Sequence, residues 1–235
     1  MNLYNIQKPK ALLIDMDGTL IDTLPMLYEA YMGFLKSYGV LGTPKEFQSL
    51  MGPSLSEIID SLKHRYKLTD DRSALLETYQ QGLKEAYEQK VNFFPHALEA
   101  IHYAKKQDVK LALVSASEKQ FVNAFIKGAH LASLFDFIVF SQQGIRSKPY
   151  PDLYLKSLKL LQLDASDVLA IEDSVSGVQA ATSAEIFTLW IKHNTFFASH
   201  SAPNPLPIPN VSKDLYHQVD DWKNILIWLK EKCDA

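Results

Sequence analysis

The sequence predicts an α/β fold, a doubly wound parallel sheet core interrupted once by an inserted all-helical domain. Three observations carry this prediction. Short, continuous apolar runs recur along the chain and end abruptly in polar residues, as strands buried on both faces do. Amphipathic helical patterns separate those runs, which is the alternation of a doubly wound domain. Between Leu24 and Val91 the alternation stops, and the whole segment has helical spacing.

In chain order, "ALLID" gives a first strand ending at Asp15. The insert follows with "PMLYEAYMGFLKSYG", where Leu27, Tyr31, Phe34, Leu35 and Tyr38 share a helical face and Gly39 is a stop. In "TPKEF", Thr43 is expected as N-cap, Pro44 in the first turn and Glu46 as the second half of a capping box. Ser54 and Glu57 repeat the device in "SLSEIIDSLKHRY". "SALLETYQQGLKEAY" supplies Leu75, Leu76, Tyr79, Leu83 and Tyr87 to the insert's core. After Pro95, "HALEAIHYAKKQ" reads as a helix and "VKLALVSAS" as a strand reaching Ser115 and Ser117. "SEKQFVNAFIKGAHL" then opens on an expected capping box from Ser117 to Gln120. "FDFIVFS" is a strand, "PDLYLKSLKLLQL" a helix, "VLAIEDS" a strand ending at Glu172 and Asp173, "SGVQAATSA" a helix and "IFTLWI" a strand. Prolines at 203, 205, 207 and 209 demand an extended surface segment before a last amphipathic helix, "DWKNILIWLKEK". The division is therefore 1–23 with 92–235 as a Rossmann-like core and 24–91 as a helical cap, placed like a lid above the acidic strand end where it is inserted.

A chain of 235 residues suits a core domain with a smaller insert. A net charge of -3 gives no broad basic surface for nucleic acid, and no apolar run approaches a membrane span. The single cysteine, Cys233, has no partner for an internal disulfide. With an N-terminus lacking a signal pattern, these features lead to the expectation of a cytoplasmic protein.

In an open parallel sheet, ligands bind beyond the carboxyl ends of the strands. There the chain puts Asp15 and Asp17, Ser115, and Glu172 with Asp173. Carboxylates so close together are tolerable only with a counterion, and an all-oxygen set without Cys/His zinc spacing suits Mg²⁺. Lys148 in "SKPYPD", whose loop Pro149 and Pro151 stiffen, is a ready point charge for a phosphoryl group. Ser115 and the backbone N–H groups around Met16, Asp17 and Ala116 would add hydrogen bonds. One carboxylate can then attack phosphorus, while the one two residues away moves protons.

"DMDGTLIDT" resembles the first motif, DxDGT, of the haloacid dehalogenase superfamily. "LVSAS", "KPYPD" and "IEDSVSGVQAA" match its remaining motifs in order, so the resemblance spans Leu12 to Ile191. The insert resembles the helical cap of the phosphoglycolate phosphatase and β-phosphoglucomutase branch. The resemblance implies Asp15 as nucleophile and metal ligand, and Asp17 as general acid/base that binds metal through its backbone carbonyl. It implies Ser115 and Lys148 as phosphoryl holders, and Glu172 with Asp173 as the rest of the Mg²⁺ site. Dehalogenases of the superfamily lack the second aspartate, and its transport ATPases carry threonine there, so Asp17 implies phosphatase or transferase chemistry. Branch members usually have Ala-Gly after the fourth motif's helix; Glu185 stands at the glycine position and is expected to change that helix exit.

The leading expectation is a Mg²⁺-dependent phosphatase of a small phosphorylated metabolite, working as a monomer or small homo-oligomer. A β-phosphoglucomutase-like mutase is the alternative, although that enzyme has a histidine early in its cap where Leu27 stands here. A non-catalytic module on the same fold is disfavoured because no motif residue is missing. A phosphonatase would need one of Lys36, Lys45, Lys63 or Lys67 as a Schiff-base lysine. Gly52 and Pro53 are either a substrate-touching cap loop or only the turn before Ser54. Ser117 is explained by its N-cap role, Asp22 and Thr23 by the passage into the cap, and Trp190, Trp222 and Trp228 by packing. His64, His96 and His102 are expected at the surface.

Overall fold

The computed structural model describes residues 8–50, 54–192 and 211–234. Gly52, Pro53 and the proline-rich stretch 202–210 lie outside the described residues. Six parallel strands form one sheet in the order β3-β2-β1-β4-β5-β6, where β1 is Ala11–Ile14, β2 Lys110–Glu118, β3 Phe137–Ser141, β4 Val168–Glu172, β5 Phe187–Ile191 and β6 Tyr216–Val219. The order runs outward in both directions from β1, so the topological switch point lies between β1 and β4.

Every residue of β1 is fully buried, which is why this strand is uniformly apolar. Leu12 and Ile14 face one side, with α5 (Ala97–Lys106), α6 (Lys119–Gly128) and α9 (Trp222–Cys233). Ala11 and Leu13 face the other, with α7 (Asp152–Leu161) and α8 (Val175–Ser183). Each large apolar side chain removed from water contributes about 1.5–3 kcal/mol. Both faces of the central strand therefore work for stability, and its polar residues are pushed to the strand end. The short β6 escapes sequence reading because "YHQV" is an edge strand with two exposed polar residues and no apolar run.

The 24–91 segment folds as α1 (Leu24–Ser37), α2 (Pro44–Ser49), α3 (Leu55–Tyr66) and α4 (Arg72–Gln89). Its apolar interior, including Tyr31, Phe34, Leu62, Leu75 and Tyr79, is continuous with the α5–α6–α9 side of the core. Ser54 and Glu57 form the complete capping box. The Thr43 box forms only by half: Thr43 Oγ1 accepts from the Glu46 N–H at 3.2 Å, while the Glu46 carboxylate turns inward to the hydroxyls of Tyr31 and Tyr66 and to Arg65 at 2.7 Å. Two phenols and a guanidinium outcompete one backbone N–H for a buried carboxylate.

The expected change of exit after α8 does not occur. Glu185 itself takes the left-handed conformation, with φ of 61°. Its N–H bonds the Thr182 carbonyl at 2.9 Å and the Ile186 N–H bonds Ala181 at 3.1 Å, which is a full Schellman closure built without glycine. Left-handed backbone costs a side-chain-bearing residue about 1–2 kcal/mol, and glycine loses about 0.5–1 kcal/mol of that advantage to its unfolded-state freedom. Glu185→Gly is therefore expected to stabilise the chain by about 0.5–1 kcal/mol in urea unfolding; a loss of stability would show that the Glu185 side chain compensates for its backbone.

Candidate functional site

The strand ends at the switch point build the site. Asp15 follows β1 directly, and its N–H is held by the Ile171 carbonyl of β4 at 3.1 Å. Gly18 turns the chain back with φ of +81°, and a Cβ there would overlap the Asp173 carboxylate. A glycine is thus required twice over, by conformation and by space. In α8, a side chain at Gly177 would overlap the Glu172 carboxylate in the same way. Two tryptophans hold the loops that follow the strands: Trp222 Nε1 donates to the Thr19 carbonyl at 2.7 Å, and Trp190 Nε1 to the Asp173 carbonyl at 2.8 Å. Both rings are buried, as expected, but their polar ends also position site backbone.

The structure brings Asp15, Glu172 and Asp173 together, with one carboxylate oxygen of each within 4.8 Å of the others. Lys148 enters this group from the loop before α7. Its Nζ lies 2.6 Å from Asp15 Oδ1, 2.5 Å from Glu172 Oε1 and 2.9 Å from the Val114 carbonyl. Burial alone would favour the neutral amine, but Asp15 and Glu172 outweigh it and raise the Lys148 pKa, so the ammonium persists. Glu172 is also tied to Tyr154 Oη at 2.6 Å, and Asp173 accepts from Thr19 Oγ1 at 3.1 Å. Burial first, and then the charge of Asp15, push both the Glu172 and Asp173 carboxyls upward.

Asp17 behaves differently. Its side chain turns away from the other three carboxylates, accepting from Tyr87 Oη at Oδ1 and from Ser117 Oγ at Oδ2, each at 2.7 Å. Dense surroundings and then the charge of Asp15 push its pKa up to about 6, against the opposing pull of these hydroxyls and Lys148. Ser115 is fully buried and accepts from the Ser117 N–H at 3.0 Å, where β2 departs from regular register against β3. Met16 is buried beside them, Ala116 is exposed, and the Gly18 N–H is already used by the Ile21 carbonyl.

One expectation needs correction here. Ser117 is not the N-cap of α6; that position belongs to Glu118, without a side-chain cap bond. The strand runs one residue further than the apolar pattern suggests, which delivers the Ser117 hydroxyl to Asp17 instead. The Ser115-x-Ser117 spacing is the sequence signal for this, since alternate residues leave a strand on the same side. Thr19, Tyr87 and Tyr154 also belong to the site through their hydroxyls on Asp173, Asp17 and Glu172, and the sequence pattern does not single them out. Tyr87 in particular reads as ordinary helix core until the fold brings α4 over Asp17. His96 and His102 are exposed, as expected, bonded to Glu99 at 3.1 Å and to the Leu98 carbonyl at 2.7 Å.

An all-oxygen set of three crowded carboxylates, answered by a single lysine, fits a hard divalent cation. The Asp17 side chain stands outside that set, so its carboxylate is available for protons instead.

Comparison with known proteins follows the same outline. The family model for haloacid dehalogenase-like hydrolases matches residues 12–191. The phosphorylated carbohydrates phosphatase of Thermotoga maritima is 31% identical over 177 residues, covering 75% of this chain and 82% of its own. The phosphoglycolate phosphatase of Nitrosospira multiformis is 28% identical, covering 74% and 79%. A crystal structure from Thermotoga maritima, provisionally described as a β-phosphoglucomutase, superposes with a TM-score of 0.81 at 28% identity, covering 94% of this chain and 98% of its own.

Proposed function

The chain belongs to the haloacid dehalogenase-like hydrolase family as a phosphoric monoester hydrolase, and we propose that it is a Mg²⁺-dependent phosphatase acting through an aspartyl-phosphate. The observation that carries this reading is the division of the four carboxylates: three converge with Lys148, and one is turned aside between two hydroxyls. A pair of equivalent charges would be a liability, whereas two separate tasks explain the pattern.

In this reading Asp15 attacks phosphorus through the oxygen that Lys148 does not hold, and the bond from phosphorus to the leaving oxygen breaks. Asp17 gives its proton to that oxygen. Water then attacks the acyl-phosphate, Asp17 takes a proton back, and Asp15 is released with inorganic phosphate. Lys148 and Ser115 hold the phosphoryl oxygens, with backbone N–H groups at Met16, Asp17 and Ala116. Mg²⁺ would be held by Asp15, Asp173, Glu172 and the Asp17 carbonyl, and would supply neutralisation of phosphoryl charge. A pKa near 6 suits Asp17 to both proton transfers near neutrality. Helices α1–α4, residues 24–91, are the cap that closes over a small phosphorylated metabolite.

The test is a phosphate-release screen over phosphorylated metabolites, with Mg²⁺ and with chelator, accompanied by thermal unfolding. Release is expected only with Mg²⁺. A cation at a hundredfold excess over its Kd stabilises by about 2.7 kcal/mol, or about 5–10 °C for a chain of this size. The shift should be larger at pH 7.5 than at pH 5. A raised carboxyl keeps its proton in the folded state after the unfolded chain has lost it, so metal-free stability falls as pH climbs from 4.5 through about 7 at Glu172. The cation offsets the charge that appears in that window. Turnover in chelator, or a thermal shift of equal size at both pH values, would refute the metal assignment.

The mutase reading keeps one specific support, the likeness to the structure described as a β-phosphoglucomutase. Interconversion of glucose phosphates without phosphate release would establish it in place of hydrolysis.

A further inference from the structure

We propose that Tyr87 is a positioning residue for Asp17, a phenol carried by the cap that fixes the acid/base carboxylate for proton transfer. The inference rests on the phosphatase reading above and adds a residue to it. Tyr87 lies in the last turn of α4, buried, with its hydroxyl 2.7 Å from Asp17 Oδ1. Ser117 Oγ holds Oδ2 at the same distance, so the two hydroxyls pin both carboxylate oxygens and fix the plane of the group.

The placement of Tyr87 is itself secured. Its ring stacks on Phe121 of α6, with centroids 5.6 Å apart and an angle of 30°. The next residue, Glu88, pairs with Lys127 at 2.5 Å, and its backbone passes so close to Gly128 that a side chain there would overlap the Glu88 carbonyl. The base of α4 is thus packed against α6 of the core. A cap that swings must bend beyond this point or break these contacts, so Tyr87 keeps Asp17 oriented as long as they hold.

In the first half-reaction the bond between phosphorus and the leaving oxygen breaks, the bond from Asp15 to phosphorus forms, and the Asp17 proton moves to the leaving oxygen. The need for that proton depends on the basicity of the leaving group. Phenyl phosphate and p-nitrophenyl phosphate have nearly the same shape, but phenolate needs protonation far more than nitrophenolate does. Tyr87→Phe keeps the ring and its stack and removes only the hydroxyl. It should lower kcat/KM for phenyl phosphate about tenfold and for p-nitrophenyl phosphate by no more than about twofold, a part of the full 10²–10⁴-fold of general acid catalysis. The unfolding midpoint reports whether the variant is folded; if it is not, Ser117→Ala removes the opposite clamp and should show the same selectivity. Equal losses on both esters, or none on either, would overturn the positioning role while leaving the phosphatase reading in place. Wild-type protein that releases phosphate neither from these esters nor from any phosphorylated metabolite in the presence of Mg²⁺ would overturn the phosphatase reading and this inference with it.

Discussion

Asp15→Asn is expected to lose about 10⁴-fold or more of its phosphate-release rate while remaining folded. A nucleophile removed from a covalent mechanism leaves only binding and electrostatics behind, and losses of that order or larger follow. An amide of nearly the same shape keeps the packing, but its neutral oxygen neither attacks phosphorus nor binds a cation well. Stability should move little, or even rise in chelator, for an electrostatic reason. Asp15 is one of three converging carboxylates, and its charge contributes to the upward shifts at Asp17, Glu172 and Asp173. Neutralising it relieves that repulsion, while Lys148 keeps Glu172 and the Val114 carbonyl as partners. Phosphate release and thermal unfolding on the same preparation separate the two effects. Activity within tenfold of wild type would remove Asp15 from the nucleophile role.

Much of the core was legible because the buried stretches of β1, β2, β4 and β5 are covered on both faces and are apolar apart from Thr188 of β5 and the residues at the strand ends. That apolar character marks the strands, and its sudden loss after β1, β2 and β4 marks the site. The same logic fails for β6, which is exposed at the sheet edge and has no apolar run to read. Local rules also lose to tertiary competition. Glu46 has the spacing of a capping box, but Tyr31, Tyr66 and Arg65 are brought to it by other helices and take its carboxylate. Ser117 has the same kind of spacing to Gln120, yet β2 runs on through Glu118, which takes the N-cap position and leaves the Ser117 hydroxyl to donate to Asp17. Motif residues announce themselves by chemistry close in sequence. Tyr87 and Tyr154 do not, since each is an aromatic on a helical face until the fold aims its hydroxyl at a carboxylate.

Lys148→Met should have the largest effect on stability. The ammonium is almost fully buried between Asp15 and Glu172, so methionine fills much of the same space and leaves two carboxylates without their cation. Breaking a buried pair from one side costs about 3–5 kcal/mol, because the remaining charge is neither solvated nor compensated. The loss should depend on conditions in a way that a packing defect would not. Glu172 is already pushed upward by burial and by Asp15, with Lys148 opposing that shift, so removing the lysine lets its carboxyl rise further. A carboxyl raised in this way is protonated in acid, and its penalty appears only as pH climbs above the unfolded value. The deficit between variant and wild type should therefore be small at pH 5, large at pH 7.5, and reduced at pH 7.5 by saturating Mg²⁺. Urea unfolding under those three conditions measures it. A deficit unchanged by pH and cation would mean that the Lys148 side chain stabilises by packing against Tyr154, whose ring lies 5.4 Å from its Nζ, instead of by charge. Phosphate release should fall in every case, since restoring the fold with Mg²⁺ does not return a cation to the phosphoryl oxygens on the lysine's side.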